Sequence, residues 1–338
     1  MQIHNPHEKP VYRFFDRMNK ALDKAMAIIP PAGVLMGFLF SRHIAPLKPL
    51  VTWLFAYITL VGALGLTLTD FRKALGKIHI IALILLCAHV VNPLLTAFLA
   101  QLCFPSRPDV VSGYVLLMSI PIAVSCYIWS SIFGGIDAIV LTVILIDSVI
   151  APVVTPATVR LLAHTAVVLD TRGMILSIAY SVAIPMVMGV VANQGSRNRA
   201  KIFVVPIAKP FSKVFLVLMV SINSAQAASR ITLSPAVLPI VLMSVCVCFL
   251  GFMMGYVISR VFLKADRAMQ VTMTYTCGMR NISASLVLVI KFFPPESSIP
   301  VITGILLQQG IAALSGYLLF RRTAPTVNAC PDPVRRFR

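Results

Sequence analysis

The chain has 338 residues, 58% of them hydrophobic and 12% charged, with a formal net charge of +18. A soluble domain carries about 25% charged residues, so this composition excludes one and describes an integral membrane protein, as does a mean hydropathy of +0.90. The positive charges fall between apolar runs and form no single patch, which excludes a nucleic-acid partner and points to membrane topology.

Residues 1–24 are polar and basic and read as a cytoplasmic N-terminal segment ahead of an uncleaved first span. A spanning helix needs about 20 apolar residues. Ten candidates follow, at about 25–41, 50–69, 80–101, 111–133, 138–162, 174–192, 214–228, 236–259, 268–290 and 300–320. The first is short and carries Pro30-Pro31; the seventh is short unless it extends back towards Pro206. His89 is the histidine deep in a span, and a lone histidine there more often bonds a neighbouring helix than a metal. The seven cysteines sit mostly inside apolar runs without metal spacing and read as small hydrophobes. No metal site and no cofactor is expected.

The fourth span carries Ser119-Ile120-Pro121-Ile122-Ala123-Val124-Ser125-Cys126-Tyr127. Proline removes a backbone donor and clashes with the preceding turn, so the span breaks there or kinks. The fifth span holds Asp147, about 14 Å deep at about 1.5 Å per residue. The ninth carries Thr276-Cys277-Gly278-Met279-Arg280-Asn281, with Arg280 about 18 Å in and so near mid-membrane. A charge at that depth is costly and by default marks a functional site. The tenth holds Gln308-Gln309, and residues 321–338 form a basic tail.

With the N-terminus inside, 21 of the 29 Lys and Arg fall in cytoplasmic segments and seven outside, leaving Arg280 in the membrane. That bias places both termini in the cytoplasm of a multi-pass cell-membrane protein. Ten spans divide into two five-span halves, 25–162 and 174–320, of opposite orientation. That is the arithmetic of an inverted-repeat transporter, whose site forms where helices break at mid-membrane. The breaks in spans four and nine occupy equivalent places in the two halves. Arg280 is expected to receive a substrate anion, or to pair with Asp147 when the site is empty; a purely structural Arg280–Asp147 pair is the competing reading. Helix N-termini at the breaks would add donors. No Gly-x-Ser-x-Gly or His-Glu-x-x-His motif points to an enzyme.

Several segments resemble a known family. Gly65-Leu66-Thr67-Leu68-Thr69-Asp70-Phe71, Pro121 through Pro156 with Gly134-Gly135 and Ala151-Pro152, and Gly278-Met279-Arg280-Asn281 are similar to motifs of the bile acid:sodium symporter (BASS) family. The resemblance runs from about residue 25 to 320 and implies an all-α fold of ten helices. Spans 1, 2, 6 and 7 would form a panel, and the rest a core in which broken spans 4 and 9 cross. It implies a transported organic anion, bile acid-like or carboxylate, in alternating access. Site residues implied are Ser125, Cys126, Tyr127, Asn281, Gln308 and Gln309 beside Arg280; Asp147, Arg280, Thr276 and His89 are read as coupling or ion-pair residues. The family's sodium ligands are largely replaced: matching positions hold Cys126, Tyr127, Val140, Ile144, Thr276 and Ala88, and its ninth-span glutamine is Arg280. A transporter that does not use sodium in the family's usual way is therefore expected, with proton or sodium left open as the coupling ion. A channel or sensor on a transporter scaffold is the alternative.

Overall fold

The computed structural model describes residues 10–25, 28–162, 172–173, 176, 180, 184–228 and 237–320. Residues 1–9, the basic tail 321–338 and parts of the predicted sixth span (174–175, 177–179 and 181–183) lie outside the described residues. The described residues are helical almost throughout, and one isolated β-bridge is their only strand-like pairing. The protein is an all-α, multi-pass membrane protein. Among the described residues, five helices are long and apolar enough to cross a bilayer: Ile78–Cys103, Asp137–Leu162, Ala200–Gln226, Leu238–Phe262 and Pro295–Phe320.

The chain opens with an amphipathic helix, α1 (Pro10–Ala25), that lies against the helix α10 (Val205–Ala228). Tyr12 donates to the Phe203 carbonyl (3.3 Å), and the buried Lys213 donates to Asn19 Oδ1 (2.6 Å) and pairs with Asp23. The polar N-terminal segment thus contains a docked helix, which its charge pattern did not announce. The first predicted span is two short pieces, α2 (Ile29–Leu39) and a turn at Ser41–Ile44. Gly37 lets α2 touch α10: a Cβ there would sit 2.3 Å from the Ser221 carbonyl oxygen. Small residues buy such close approach in lipid, where packing replaces the hydrophobic drive. The seventh predicted span is longer than its apolar run, because α10 begins at Val205 and tolerates Pro206 and Pro210.

The helices α3 (Leu50–Leu64) and α4 (Leu68–Leu75) follow, then α5 (Ile78–Cys103). A π turn at Cys87–Val91 widens α5, and the Asn92 N–H reaches back to the Cys87 carbonyl. Pro93 has no N–H to give the carbonyl four residues earlier, that of His89, so a looser turn relieves the mismatch. The first broken pair is α6 (Pro108–Ser119) and α7 (Ser125–Phe133). Gly134 ends α7 with φ 85°, a left-handed conformation natural to glycine. The remaining elements are α8 (Asp137–Leu162), α9 (Ile184–Gly195), α11 (Leu238–Val257), the second broken pair α12 (Arg267–Gly278) and α13 (Ile282–Phe292), and α14 (Ser298–Phe320). The breaks pack against α5, α8 and α14, while α3 and α10 face them from the other side of a cavity.

Candidate functional site

At the first break, Ile120 is extended (φ −67°, ψ 153°), as the residue before a proline prefers. Thr155 Oγ1 satisfies the Ser119 carbonyl stranded at the end of α6 (2.8 Å). At the second break, Met279 is extended (φ −89°, ψ 122°), and Asn281 caps α13 by accepting from the Ala284 N–H (3.3 Å). The two extended pieces cross antiparallel. Asn281 N–H donates to the Pro121 carbonyl (2.8 Å) and Ala123 N–H to that of Met279 (3.3 Å). Each break thus supplies partners for backbone groups that the other sets free, as lipid requires.

Ile122 and Arg280 are the bridged pair. The bonds flank them, so their own backbone groups point away from each other. On one side Gln308 takes both groups of Arg280: its Oε1 accepts from the N–H (2.8 Å) and its Nε2 donates to the carbonyl (2.8 Å). On the other side Asp147 Oδ2 accepts from the Ile122 N–H (2.6 Å). The other carboxylate oxygen of Asp147 meets His89 Nε2, brought there by the π turn. Asp147 therefore does not pair directly with Arg280. The N–H freed beside Pro121 and the π-turn imidazole claim its two oxygens first.

Arg280 is fully buried. Its Nη2 donates to the Cys277 carbonyl (2.9 Å), one of the acceptors left over at the end of α12, which Asn92 Nδ2 also reaches (2.9 Å). Arg280 Nε and Nη1 have no hydrogen-bond partner among the described residues, and neither has Asn281 Nδ2. Both residues line a small cavity of about 30 Å³, room for about one or two water molecules. Ser125, Gln308 and Gln309 line it too, and Phe55 and Ile58 of α3 with Leu216, Met219 and Asn223 of α10 form the opposite wall. The first turns of α7 and α13 both reach this space through Ser125 and Ile282. Their positive dipole ends favour an anion.

The structure brings Ser125, Arg280, Asn281, Gln308 and Gln309 to one cavity, with Gln309 held by an acceptor bond from Trp129 Nε1 (2.7 Å). Five other predicted residues lie off it. Cys126 is buried behind it, and Tyr127 packs under the Lys209 ammonium, 5.1 Å from its ring centroid. Thr276 bonds back to the Thr272 carbonyl of its own helix (2.7 Å), and His89 with Asp147 stands behind the crossing. Asn223 and Asn92 were missed. Both are amides within apolar runs, the signal that singled out Asn281, but neither adjoins a charge. At the positions matching the family's sodium ligands, Val140 and Ile144 are fully buried and offer no side-chain oxygen.

Residues 52–234 match the family described as "Sodium Bile acid symporter family". The chain is 32% identical over 299 residues to "Uncharacterized protein YbaS" of Bacillus subtilis (strain 168), covering 88% of this chain and 97% of that one. It is 27% identical over 311 residues to "Probable sodium/metabolite cotransporter BASS1, chloroplastic" of Arabidopsis thaliana (91% and 76% covered). It is 24% identical over 278 residues to "Uncharacterized sodium-dependent transporter YocS" of Bacillus subtilis (79% and 81% covered).

Proposed function

Because this chain belongs to the Sodium Bile acid symporter family, we propose that it is a secondary transporter of a small organic anion, bile acid-like or carboxylate, working by alternating access without the family's usual sodium coupling. The observation that carries this reading is Arg280, a residue of the cavity lining whose guanidinium is fully buried with two donating nitrogens unpartnered among the described residues. Donors left unpaired so deep are costly, and an anion would remove that cost by accepting from Nε and Nη1. Asn281 Nδ2 and Ser125 supply further donors, the starts of α7 and α13 add positive dipole ends, and the apolar wall of α3 and α10 suits a hydrocarbon body. A guanidinium bonded to the Cys277 carbonyl also places fixed positive charge where a second cation would be repelled.

Ten spans in two inverted halves accord with the paired breaks, which interrupt the chain at corresponding points and then bond to each other. Both termini would face the cytoplasm of the cell membrane, on the distribution of Lys and Arg. The relatives' names speak of sodium and metabolites, whereas Val140 and Ile144 argue against the same ion site here. A thermal-shift screen of organic acids on purified protein, with and without sodium, tests this reading. An anion should raise Tm in sodium-free buffer, and Arg280→Gln should lose that rise. An equal rise in Arg280→Gln, or a strict sodium requirement, would overturn it.

A further inference from the structure

We propose that the His89–Asp147 pair is the site of a coupling proton, taken up together with the anion in a ratio of one to one. This inference rests on the transporter reading above and names its co-substrate. Three ionisable side chains of opposed charge are buried at the crossing: Arg280 and Asp147 are fully enclosed and His89 is 5% exposed. With His89 neutral, the charges of Arg280 and Asp147 cancel. A monovalent anion on Arg280 would leave the crossing with net negative charge in a medium that tolerates none. One proton on the pair restores neutrality, so the two ligands favour each other, as a sodium ion would favour an anion in a site that held one.

The geometry provides a place for that proton. His89 Nε2 is committed to Asp147 Oδ1, while Asp147 Oδ2 holds the Ile122 N–H of the first break. The other ring nitrogen, His89 Nδ1, is buried and has no partner among the described residues. A proton arriving from the side on which the anion enters binds at Nδ1, giving an imidazolium against the carboxylate; it leaves with the anion on the other side. No other reactant is needed. Arg280 and the thiols of Cys87, Cys126 and Cys277 are the other ionisable groups near the crossing. Tyr114 and Tyr275, on packed neighbours, spend their hydroxyls on the Ile240 and Ala312 carbonyls. The ends of the packed helices carry Asp109, Asp137, Arg160 and Arg267, and none of them bonds the pair. Because Asp147 also bonds Ile122, a change of charge on the pair is felt directly by the backbone that lines the anion site.

The test adds pyruvate or taurocholate to full-length protein in weakly buffered, sodium-free detergent containing a pH indicator. About one proton should be taken up per anion bound, and Asp147→Asn and His89→Gln should abolish the uptake. In sodium-free proteoliposomes, a tenfold inside-alkaline proton gradient should support about tenfold anion accumulation, the equilibrium limit of one-to-one exchange of free energy, insensitive to membrane potential. Binding without proton uptake, or uptake unchanged in both variants, would overturn the proton site and leave the transporter standing. Binding of neither probe nor any other organic acid would overturn both. Should the variants not fold, infrared difference spectra of the unmodified protein decide: anion binding must produce an imidazolium band, and its absence refutes the assignment.

Discussion

Gln308 shows how one side chain can complete a backbone. Its amide gives Arg280 the acceptor and the donor that a third strand would have supplied. Gln308→Ala would leave two buried backbone groups without partners, at about 1–3 kcal/mol each. A drop in Tm in detergent, together with loss of any anion-induced rise, is the expected outcome; an unchanged Tm would mean that the clamp contributes nothing. Arg280 itself was legible from sequence because a charge in an apolar run has few innocent explanations. The partner of Asp147 was not. His89 lies 58 residues away, and its approach depends on a π turn that a hydrophobicity pattern does not encode. A direct Arg280–Asp147 pair, the simpler expectation, overlooked the Ile122 N–H that the break at Pro121 sets free.

Among elements, the fit of α12 against α11 depends on two glycines with different neighbours. A Cβ at Gly255 would stand 2.3 Å from the Met273 carbonyl oxygen, whereas one at Gly278 would stand 2.4 Å from a ring carbon of Phe252. Backbone cannot step aside as a side chain can. Each alanine substitution should cost about 1–3 kcal/mol through overpacking, but only Gly278→Ala should recover when Phe252 is trimmed to Leu, as judged by Tm and by monodispersity in detergent. Equal rescue of Gly255→Ala by Phe252→Leu would contradict this account. The broken elements were visible in the sequence through Pro121 and the Gly278-Met279-Arg280-Asn281 stretch. The docked helix α1 was not, because its contacts with Phe203 and Lys213 are made by polar groups that look like those of a solvated segment.

At the scale of the molecule, the cavity lies between the crossing and a wall of α3 and α10, so access depends on how those two walls part. Lys209 of α10 spans them: it lies over the Tyr127 ring and reaches Ser131 Oγ at 3.4 Å, both on α7. On the proposed orientation, that contact is at the cytoplasmic end. Lys209→Ala should loosen it and speed modification of Ser125→Cys by a charged thiol reagent applied from the cytoplasmic side, in a background without the native cysteines. No change in labelling rate would remove Lys209 as a closure. The membrane class was readable from composition alone, since burial in lipid demands apolar length. The opposing wall was not, because Phe55, Ile58 and Met219 differ in no way from residues that face acyl chains.

The bonds joining Pro121 to Asn281 and Ala123 to Met279 also set a schedule for biogenesis. The first interruption leaves the ribosome well before the second exists, a delay of roughly 10–30 s at ordinary elongation rates. Throughout that interval unpaired amides near Ile122 must be sheltered, by water in the insertion machinery or by Asp147 alone. A nascent chain stalled short of α12 is thus incomplete at its centre as well as at its end, and quality-control proteases would meet it as a membrane protein with an open seam.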